Sequence, residues 1–206
     1  MLLGLPLAWW LAKPSSTKIS SMLRPVIEAL VALPLVLPPT VLGFYLLIAF
    51  SPDSWLGASW MNLTGSTLAF SFSGLVIGSI IYSLPFVVQP LQATFAAIPV
   101  STIEVSRSLG ASKLETIKQI ILPLSKKGLI SAFSLGFAHT LGEFGVVLMI
   151  GGNISNQTRV VSIAIYDHVE TLQFAEAHQL SIGLVLFSLV LLTLLYRSKN
   201  NRVGFS

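Results

Sequence analysis

The amino-acid sequence predicts an all-α, polytopic bundle of membrane-spanning helices with one polar segment on the cytoplasmic side. Its 206 residues are 53% hydrophobic and only 10% charged, whereas soluble domains carry about 25% charged residues. The mean hydropathy is +0.82. The basic residues lie in the breaks between apolar runs, which indicates membrane topology and argues against nucleic-acid binding despite the formal charge of +4.

Four apolar runs reach the ~20 residues needed to cross a bilayer. They are Val26–Phe50, Thr67–Leu91, Gly128–Ile150 and Leu180–Tyr196. A fifth run, Met1–Ala12, is too short to span and lacks the basic leader and cleavage site of a signal peptide. We interpret it as a partial first span, which leaves open whether Met1 is the true start. We therefore predict one transmembrane domain over 1–196, followed by a short basic tail over 197–206.

The basic residues orient these spans. Those of the first connection, the third connection and the tail are Lys13, Lys18, Arg24, Arg107, Lys113, Lys118, Lys126, Lys127, Arg197, Lys199 and Arg202. The second connection, Ser51–Ser66, has none, and the fourth has only Arg159. By the positive-inside rule, the first and third connections and the C-terminus are cytoplasmic.

The second span carries three prolines, Pro34, Pro38 and Pro39, followed by Thr40. Each proline removes an amide donor and clashes with the preceding turn. The freed carbonyls need partners from neighbouring helices or from water. The pattern is equally typical of a broken helix that lines a pathway and of a packed proline kink.

Small residues recur four apart in two later spans. They are Gly74 and Gly78 in the third span and Gly128, Ala132 and Gly136 in the fourth. Such spacing lets helices approach closely in lipid. It predicts a tight bundle and does not identify a substrate.

Glu143 lies within the fourth apolar run, where a carboxylate is costly and is a functional hypothesis by default. His139, one turn earlier, suggests a proton relay, but a structural, hydrogen-bonding Glu143 is favoured because a bare carboxylate would repel an anion. No Lys or Arg lies in the core of a complete span, so a passing anion would rely on backbone amides and hydroxyls. The candidate hydroxyls are Ser71, Ser83, Ser134 and Thr140, and the pathway or gate candidates are Pro34, Pro38, Pro39, Thr40, Ser83, Thr140 and Glu143.

The segment 99–123 is a polar, basic island between apolar runs. Ser101–Glu104 and Ser112–Glu115 both have the spacing of a capping box. Gly110 fits a left-handed helix stop between them. Leu114, Ile117 and Ile121 follow as an apolar stripe at helical spacing. We predict a short helix, a glycine corner and a second helix, shaped to fit a groove in another protein.

This island resembles the loop by which permease subunits of binding-protein-dependent (type I) ABC importers contact their ATPase. The family pattern reads E-A-A, three residues, G, nine residues, I, one residue, L-P. Glu104, Gly110, Ile120, Leu122 and Pro123 fall on it in register, whereas Val105 and Ser106 stand where the family usually has alanines. Together with Leu33–Leu47, Tyr82–Gln92, Leu141–Gly145 and Gly152–Ile154, it makes residues 1–196 similar to the molybdate-type permease subunit.

The resemblance implies a permease homodimer, a dimer of ABC ATPase subunits on the cytoplasmic side, and a periplasmic or tethered oxyanion-binding protein. The location would be the cytoplasmic (inner) membrane of a bacterium or archaeon. The residues that would dock on the ATPase are Glu104, Ser106, Arg107, Leu109, Gly110, Ala111, Ser112 and Leu114. The sequence contains no GxxxxGK[ST] phosphate loop and no cysteine. We therefore expect no enzyme activity, metal or cofactor on this chain, with ATP and Mg²⁺ on the partner.

Two alternatives remain open. A sulfate or thiosulfate permease is close, because molybdate, tungstate and sulfate are all tetrahedral dianions and no selectivity filter is visible; the short chain favours the molybdate type. A proton-coupled secondary transporter using Glu143 and His139 is an alternative of another class, but no inverted repeat is visible and the polar island would be unexplained. A membrane scaffold fits the proline-broken second span poorly.

Overall fold

The computed structural model describes residues 1–13 and 18–200 of the chain, and within these ranges the regular structure is helical. The helices are α1 Gly4–Ala12, α2 Lys18–Val36, α3 Pro39–Phe50, α4 Trp55–Thr64, α5 Phe72–Ala96, α6 Val100–Ser108, α7 Lys113–Thr116, a π-helical turn Ile117–Ile121, α8 Leu122–Leu124, α9 Lys126–Gly142, α10 Gly145–Gly151, α11 Val161–Glu170 and α12 Phe174–Asn200. Arg202 of the predicted basic tail lies outside the described residues.

The described residues form two compact units, which we describe separately. The first unit includes α1, most of α2, the second half of α5, α6 to α8 and most of α9. The second unit includes α3, α4, the first half of α5, α10, α11 and most of α12. Each unit has its own cluster of buried apolar side chains.

In the first unit, α5 supplies the centre of the core through Val87, Val88 and Leu91. The Val87 methyl groups fit between two glycines on other helices. A Cβ added to Gly4 of α1 or to Gly136 of α9 would lie 2.7 Å from one of them. Ala132, one turn before Gly136, is fully buried. The predicted close packing through the small residues of the fourth apolar run is therefore confirmed.

In the second unit, α3 and α10 make the closest helix contact. A Cβ on Gly43 would lie 2.7 Å from the Met149 Cβ, so only glycine allows this approach. The completely buried Ile150 of α10 packs over Gly78 of α5, in the core that also holds Phe50. The predicted close approach at Gly78 is therefore present.

The apolar runs form helices with different bounds from those predicted. Within the described ranges, α5 and the Phe174–Arg197 part of α12 are each long and apolar enough to cross a membrane, and there are up to four spans if each bent helix pair counts as one. The helix predicted over Thr67–Leu91 is α5, which begins five residues later, because Ser71 provides its start: its hydroxyl accepts a hydrogen bond from the Gly74 N–H at 3.1 Å.

The proline-rich second run is broken, not merely kinked. Its two halves, Ser21–Val36 and Pro39–Phe50, meet at 116°. Pro38 is extended, at φ −54° and ψ 137°, and Pro39 occupies the first turn of the new helix, where its missing N–H has no cost. Prolines at these positions therefore end one helix and begin the next.

The fourth run, Gly128–Ile150, is not one continuous helix. α9 ends at Gly142, and α10 begins at Gly145. Phe144, between them, has φ −126° and ψ −51°, outside the helical range. Glu143 therefore lies at a helix break.

The connection after α10 contains α11. Val161 and Val169 of this helix are exposed, and its fully buried residue is Ile163. Arg159 forms an ion pair with Asp167 of this helix, with Nη2 and Oδ2 3.1 Å apart.

Candidate coupling surface and pathway residues

The turn after α6 is closed by backbone hydrogen bonds around Gly110. Gly110 has φ +87°, the left-handed conformation that its sequence context predicted. Its N–H donates to the Arg107 carbonyl at 3.0 Å, and the Ala111 N–H donates to the Ser106 carbonyl at 3.2 Å. This pair of bonds is the Schellman motif, which satisfies the last carbonyls of a helix. The corner is therefore a defined structure and not a loose loop.

The predicted capping box at Ser112 and Glu115 is present. The Ser112 hydroxyl accepts from the Glu115 N–H at 3.3 Å, and the Ser112 N–H donates to a Glu115 carboxylate oxygen at 2.7 Å. Hydrogen bonding from the Ser112 backbone, and then from the Ser112 side chain, lowers the pKa of Glu115 below its ordinary value, because it stabilises the ionised carboxylate. Two reciprocal bonds thus fix the start of α7.

The other predicted capping box is wrong. α6 begins at Val100, with Pro99 as its N-cap residue and no capping side chain. Ser101 is inside the first turn, because the extended backbone of Pro99 lets the helix begin immediately after it. Glu104 is therefore an exposed helix residue, not a cap partner.

A buried hydroxyl pair joins α6 to α7. The Ser106 and Thr116 hydroxyl oxygens are 3.1 Å apart, and Thr116 also donates to the Ser112 carbonyl at 3.0 Å. Both side chains are buried. Ser106 was predicted as a coupling residue, but Thr116 was missed, because its only signal in the sequence is a hydroxyl one turn after a capping serine.

Around this corner the structure exposes apolar side chains. Val105, Leu109 and Leu114 are 58%, 83% and 59% exposed. An open cavity of about 390 Å³ is lined by Ser101, Thr102, Val105, Ser106, Leu109 and Ile120. Of the predicted stripe, Ile121 is buried in the core of the first unit, whereas Leu114 and Ile117 are exposed. We call the exposed surface of residues 101–117 the coupling surface, after the role that the sequence predicts for it.

The predicted pathway residues all lie in the second unit, where two sets of them are close together. The Ser83 and Thr140 hydroxyl oxygens are 2.6 Å apart, which joins α5 to the end of α9. Pro39 packs against Gly145, where an added Cβ would be 2.8 Å from the proline Cβ and 3.7 Å from a Glu143 carboxylate oxygen. Thr40 is exposed, and Pro34 lies within α2.

Glu143 stabilises the helix break. One of its carboxylate oxygens accepts the Val146 N–H at 3.0 Å, in the first turn of α10. Its carbonyl oxygen accepts the Ser162 hydroxyl at 2.9 Å, from α11. Only the first of these contacts is made by the carboxylate; the second is made by the Glu143 backbone.

The remaining polar candidates have local partners. The Ser71 hydroxyl donates to the Leu68 carbonyl, and the Ser134 hydroxyl to the Ile130 carbonyl, both at 2.7 Å. The His139 ring meets the Tyr82 ring edge-on, with centroids 5.5 Å apart. Within the described residues there is no group of three or more His, Asp or Glu side chains that could hold a metal ion.

Comparison with known proteins decides the family. Residues 4–201 match the family model described as the inner membrane component of binding-protein-dependent transport systems. The chain belongs to this family. The resemblance that the polar island indicated is therefore confirmed, and the protein is a membrane component of a transport system.

Several relatives within the family have named functions. The chain is 51% identical to the molybdenum transport system permease protein ModB of Azotobacter vinelandii, over 100% of this chain and 89% of that protein. It is 32% identical to ModB of Haemophilus influenzae, over 93% and 82%. It is also 36% identical to a probable sulfate transport system permease protein, cysT, of Chlorella vulgaris, over 84% of this chain and 64% of that protein.

A solved structure shares the fold. The MetNI methionine ABC transporter in an inward-facing conformation has a chain that matches 96% of this one with a TM-score of 0.66, and 85% of that chain is covered. The two are 15% identical in sequence, so the match establishes the fold alone. The predicted polytopic, all-helical permease architecture is confirmed at that level.

Proposed function

We propose that this chain is the permease subunit of an ATP-driven importer whose substrate is molybdate. The observation that carries the proposal is the coupling surface: a corner fixed by hydrogen bonds, with exposed apolar side chains beside an open cavity. A membrane component of a transport system needs such a surface to receive a partner. The substrate is inferred from the relatives in Azotobacter vinelandii and Haemophilus influenzae, both named for molybdenum transport.

In this proposal a dimer of ABC ATPase subunits, which binds ATP and Mg²⁺, docks on the coupling surface. Leu109 and Leu114 enter a groove of the ATPase, and the polar residues Glu104 and Arg107 lie at its rim. Gly110 sets the angle between the two helices. Because the Schellman bonds, the capping box and the Ser106–Thr116 pair make the corner rigid, closure of the ATPase would move the whole segment and, through it, the spans.

We further propose that the coupling surface is cytoplasmic, that the chain has four complete spans and a partial first one, and that two copies form the transport pathway. The distribution of Lys and Arg supports the orientation. α12 supports a membrane-facing role, since none of its most apolar 18-residue window is buried within the chain. An anion pathway needs water-lined walls on all sides, and a second copy would supply the missing ones.

The pathway itself would bind the oxyanion weakly. The Ser83–Thr140 pair offers hydroxyl groups, and the helix break at Pro38 offers backbone groups. None of these groups carries a permanent positive charge. Weak binding suits conduction, because a tight site within the membrane would retain the ion. High affinity would then reside in a periplasmic or tethered binding protein that delivers the substrate.

The test is ATP hydrolysis by this chain reconstituted with its ATPase and binding protein in lipid vesicles. Binding protein loaded with molybdate should stimulate hydrolysis and uptake, whereas sulfate should not. Stimulation by sulfate alone would replace the molybdate proposal with a sulfate permease, the alternative that the Chlorella vulgaris relative favours. Absence of any stimulated hydrolysis, with a complex demonstrably formed, would contradict the coupling role.

A further inference from the structure

A cluster of positive charge lies where α1 leaves its apolar run. Lys13 follows the last residue of α1, and its ammonium group lies over the Trp9 ring, 4.6 Å from the centroid. The Arg24 guanidinium of α2 lies over the Trp10 ring at 5.2 Å. Arg24 also donates a hydrogen bond to the Lys13 carbonyl. The two tryptophans thus hold two cations side by side in the first unit.

Lys13 forms no ion pair with a carboxylate among the described residues. Partial burial lowers the pKa of Lys13, and electrostatic repulsion from Arg107 and then Lys113 lowers it further. The side chain is nevertheless exposed. An anion beside Lys13 and Arg24 would offset this repulsion and gain charge-assisted hydrogen bonds.

The side chains around Lys13 and Arg24 favour a lipid over a free anion as the ligand. Trp9 and Trp10 lie in the last turn of an apolar helix, the place where tryptophan marks the boundary between hydrocarbon and water. Trp9 is fixed there by edge-to-face contact with Phe95, at 5.2 Å between centroids. From the same boundary α2 exposes Met22, Val26 and Leu30, which are four residues apart and share one face. An acyl chain can lie along that stripe while its headgroup reaches the cations.

We propose that Lys13 and Arg24, held over Trp9 and Trp10, form a binding site for the phosphate headgroup of an anionic phospholipid. The ligand would be one phosphatidylglycerol-like lipid per chain, held at the water boundary of the first unit. Basic pockets between helices at this depth suit anionic headgroups. The site goes beyond the transport role, because it requires only that the chain be in a membrane.

The test is thermal unfolding of the full-length chain in a neutral detergent, with three added probes. Dioctanoylphosphatidylglycerol should raise the unfolding temperature in a saturable way. Dioctanoylphosphatidylcholine has the same phosphate but no net charge, and inorganic phosphate has charge but no acyl chain, so neither should match it. An equal effect of inorganic phosphate would make this a free-anion site and overturn the proposal, as would equal effects of the two lipids.

The matched variants locate the site. Each basic residue near an anionic lipid changes affinity by about fivefold, so Lys13→Gln/Arg24→Gln should weaken the phosphatidylglycerol response by about thirtyfold. Lys126→Gln/Lys127→Gln removes the same charge from exposed positions at the start of α9 and should leave the response unchanged. Equal loss in both double variants would indicate diffuse attraction and contradict a defined site. If the first double variant does not fold, Lys13→Gln alone should still weaken the response by about fivefold.

Discussion

At the residue scale, Gly110 is the position of the coupling surface where the backbone conformation favours glycine over other residues. Its φ of +87° is unfavourable for any residue with a Cβ, and an added Cβ would meet no atom within 4 Å. Substitution therefore acts through backbone strain alone, at about 1–2 kcal/mol. We expect Gly110→Ala to relax the corner, to reduce molybdate-stimulated ATP hydrolysis severalfold, and to leave the amount of protein in the membrane unchanged.

Gly65 offers a matched control for this prediction. It ends α4 with φ +72°, and an added Cβ there would also meet nothing within 4 Å. Gly65→Ala should show a similar loss of thermal stability with normal coupled hydrolysis. If both variants hydrolyse ATP normally in the complex, the corner at Gly110 is not part of the coupling device.

Two substitutions of Glu143 can distinguish a structural role of its carboxylate from a proton-carrying role. Its carboxylate accepts the Val146 N–H, and the side-chain carbonyl of a glutamine can accept the same bond. We expect Glu143→Gln to retain transport and Glu143→Leu to lose about 1 kcal/mol of stability, the usual effect of a lost helix cap, together with transport. Thermal unfolding and uptake measured on both variants decide this. Equal loss of uptake with unchanged stability would require the charge itself and revive the proton-coupled alternative.

Glu115 gives the coupling surface a predictable pH dependence. Its pKa in the folded chain is lowered by hydrogen bonds from Ser112, so the folded state favours the ionised carboxylate. This stabilisation is complete above the ordinary glutamate pKa and is lost as pH falls through the lowered one. Amide protection of residues 112–121 should therefore decrease on acidification into that range. Glu115→Gln, which keeps an acceptor but cannot ionise, should remove this pH dependence; retention of it would assign the effect to another group.

At the scale of elements, α1, α5 and α9 pack through one valine and two glycines. Gly136→Ala would place a methyl group 2.7 Å from a Val87 methyl carbon, and such overpacking costs about 1–3 kcal/mol. Adding Val87→Ala should recover part of that loss, because it removes the atom in conflict. Gly142→Ala, on the same helix with nothing within 4 Å of its new Cβ, should be nearly neutral. Additive free energies of unfolding in the Gly136–Val87 cycle would show that the contact is not close-packed.

The sequence predicted best those structural features that depend on residues close together along the chain. Gly110, the Ser112–Glu115 cap and the break at Pro38 each depend on a few adjacent residues, and all three are where the pattern places them. The Ser101 cap failed because Pro99 starts the helix without help from a side chain.

The break before α10 and the Ser106–Thr116 pair depend on tertiary contacts. The apolar run indicates only that Gly128–Ile150 can be buried. At the break between α9 and α10, the Glu143 carboxylate accepts a hydrogen bond from the first turn of α10, and the Glu143 carbonyl accepts one from the Ser162 hydroxyl of α11. Thr116 matters because folding brings it to Ser106, ten residues earlier. The contacts of Ser162 with Glu143 and of Thr116 with Ser106 have no fixed spacing in sequence, so periodicity could not predict them.

At the scale of the whole molecule, the exposed surface is apolar enough to require both lipid and protein partners. Val185, Leu189 and Val190 of α12 are each 58% or more exposed, and side chains of this kind are stable only in hydrocarbon or in an interface. The coupling surface adds exposed leucines beside lysines and arginines, a mixture suited to a partner in water. Family membership and exposure thus agree on a subunit that functions within an assembly.

The last prediction concerns the orientation of the chain in the membrane. The chain has no cysteine, so single cysteines report the side of the membrane without further engineering. Asn62 of α4 and Ser108 of α6 are both exposed, polar and outside the predicted spans. If the positive-inside orientation holds, a membrane-impermeant maleimide should label Asn62→Cys in right-side-out vesicles and Ser108→Cys only in inside-out vesicles. Ser108 labelled from outside would put the coupling surface on the side without ATP, and ATP-driven coupling through it would then be impossible.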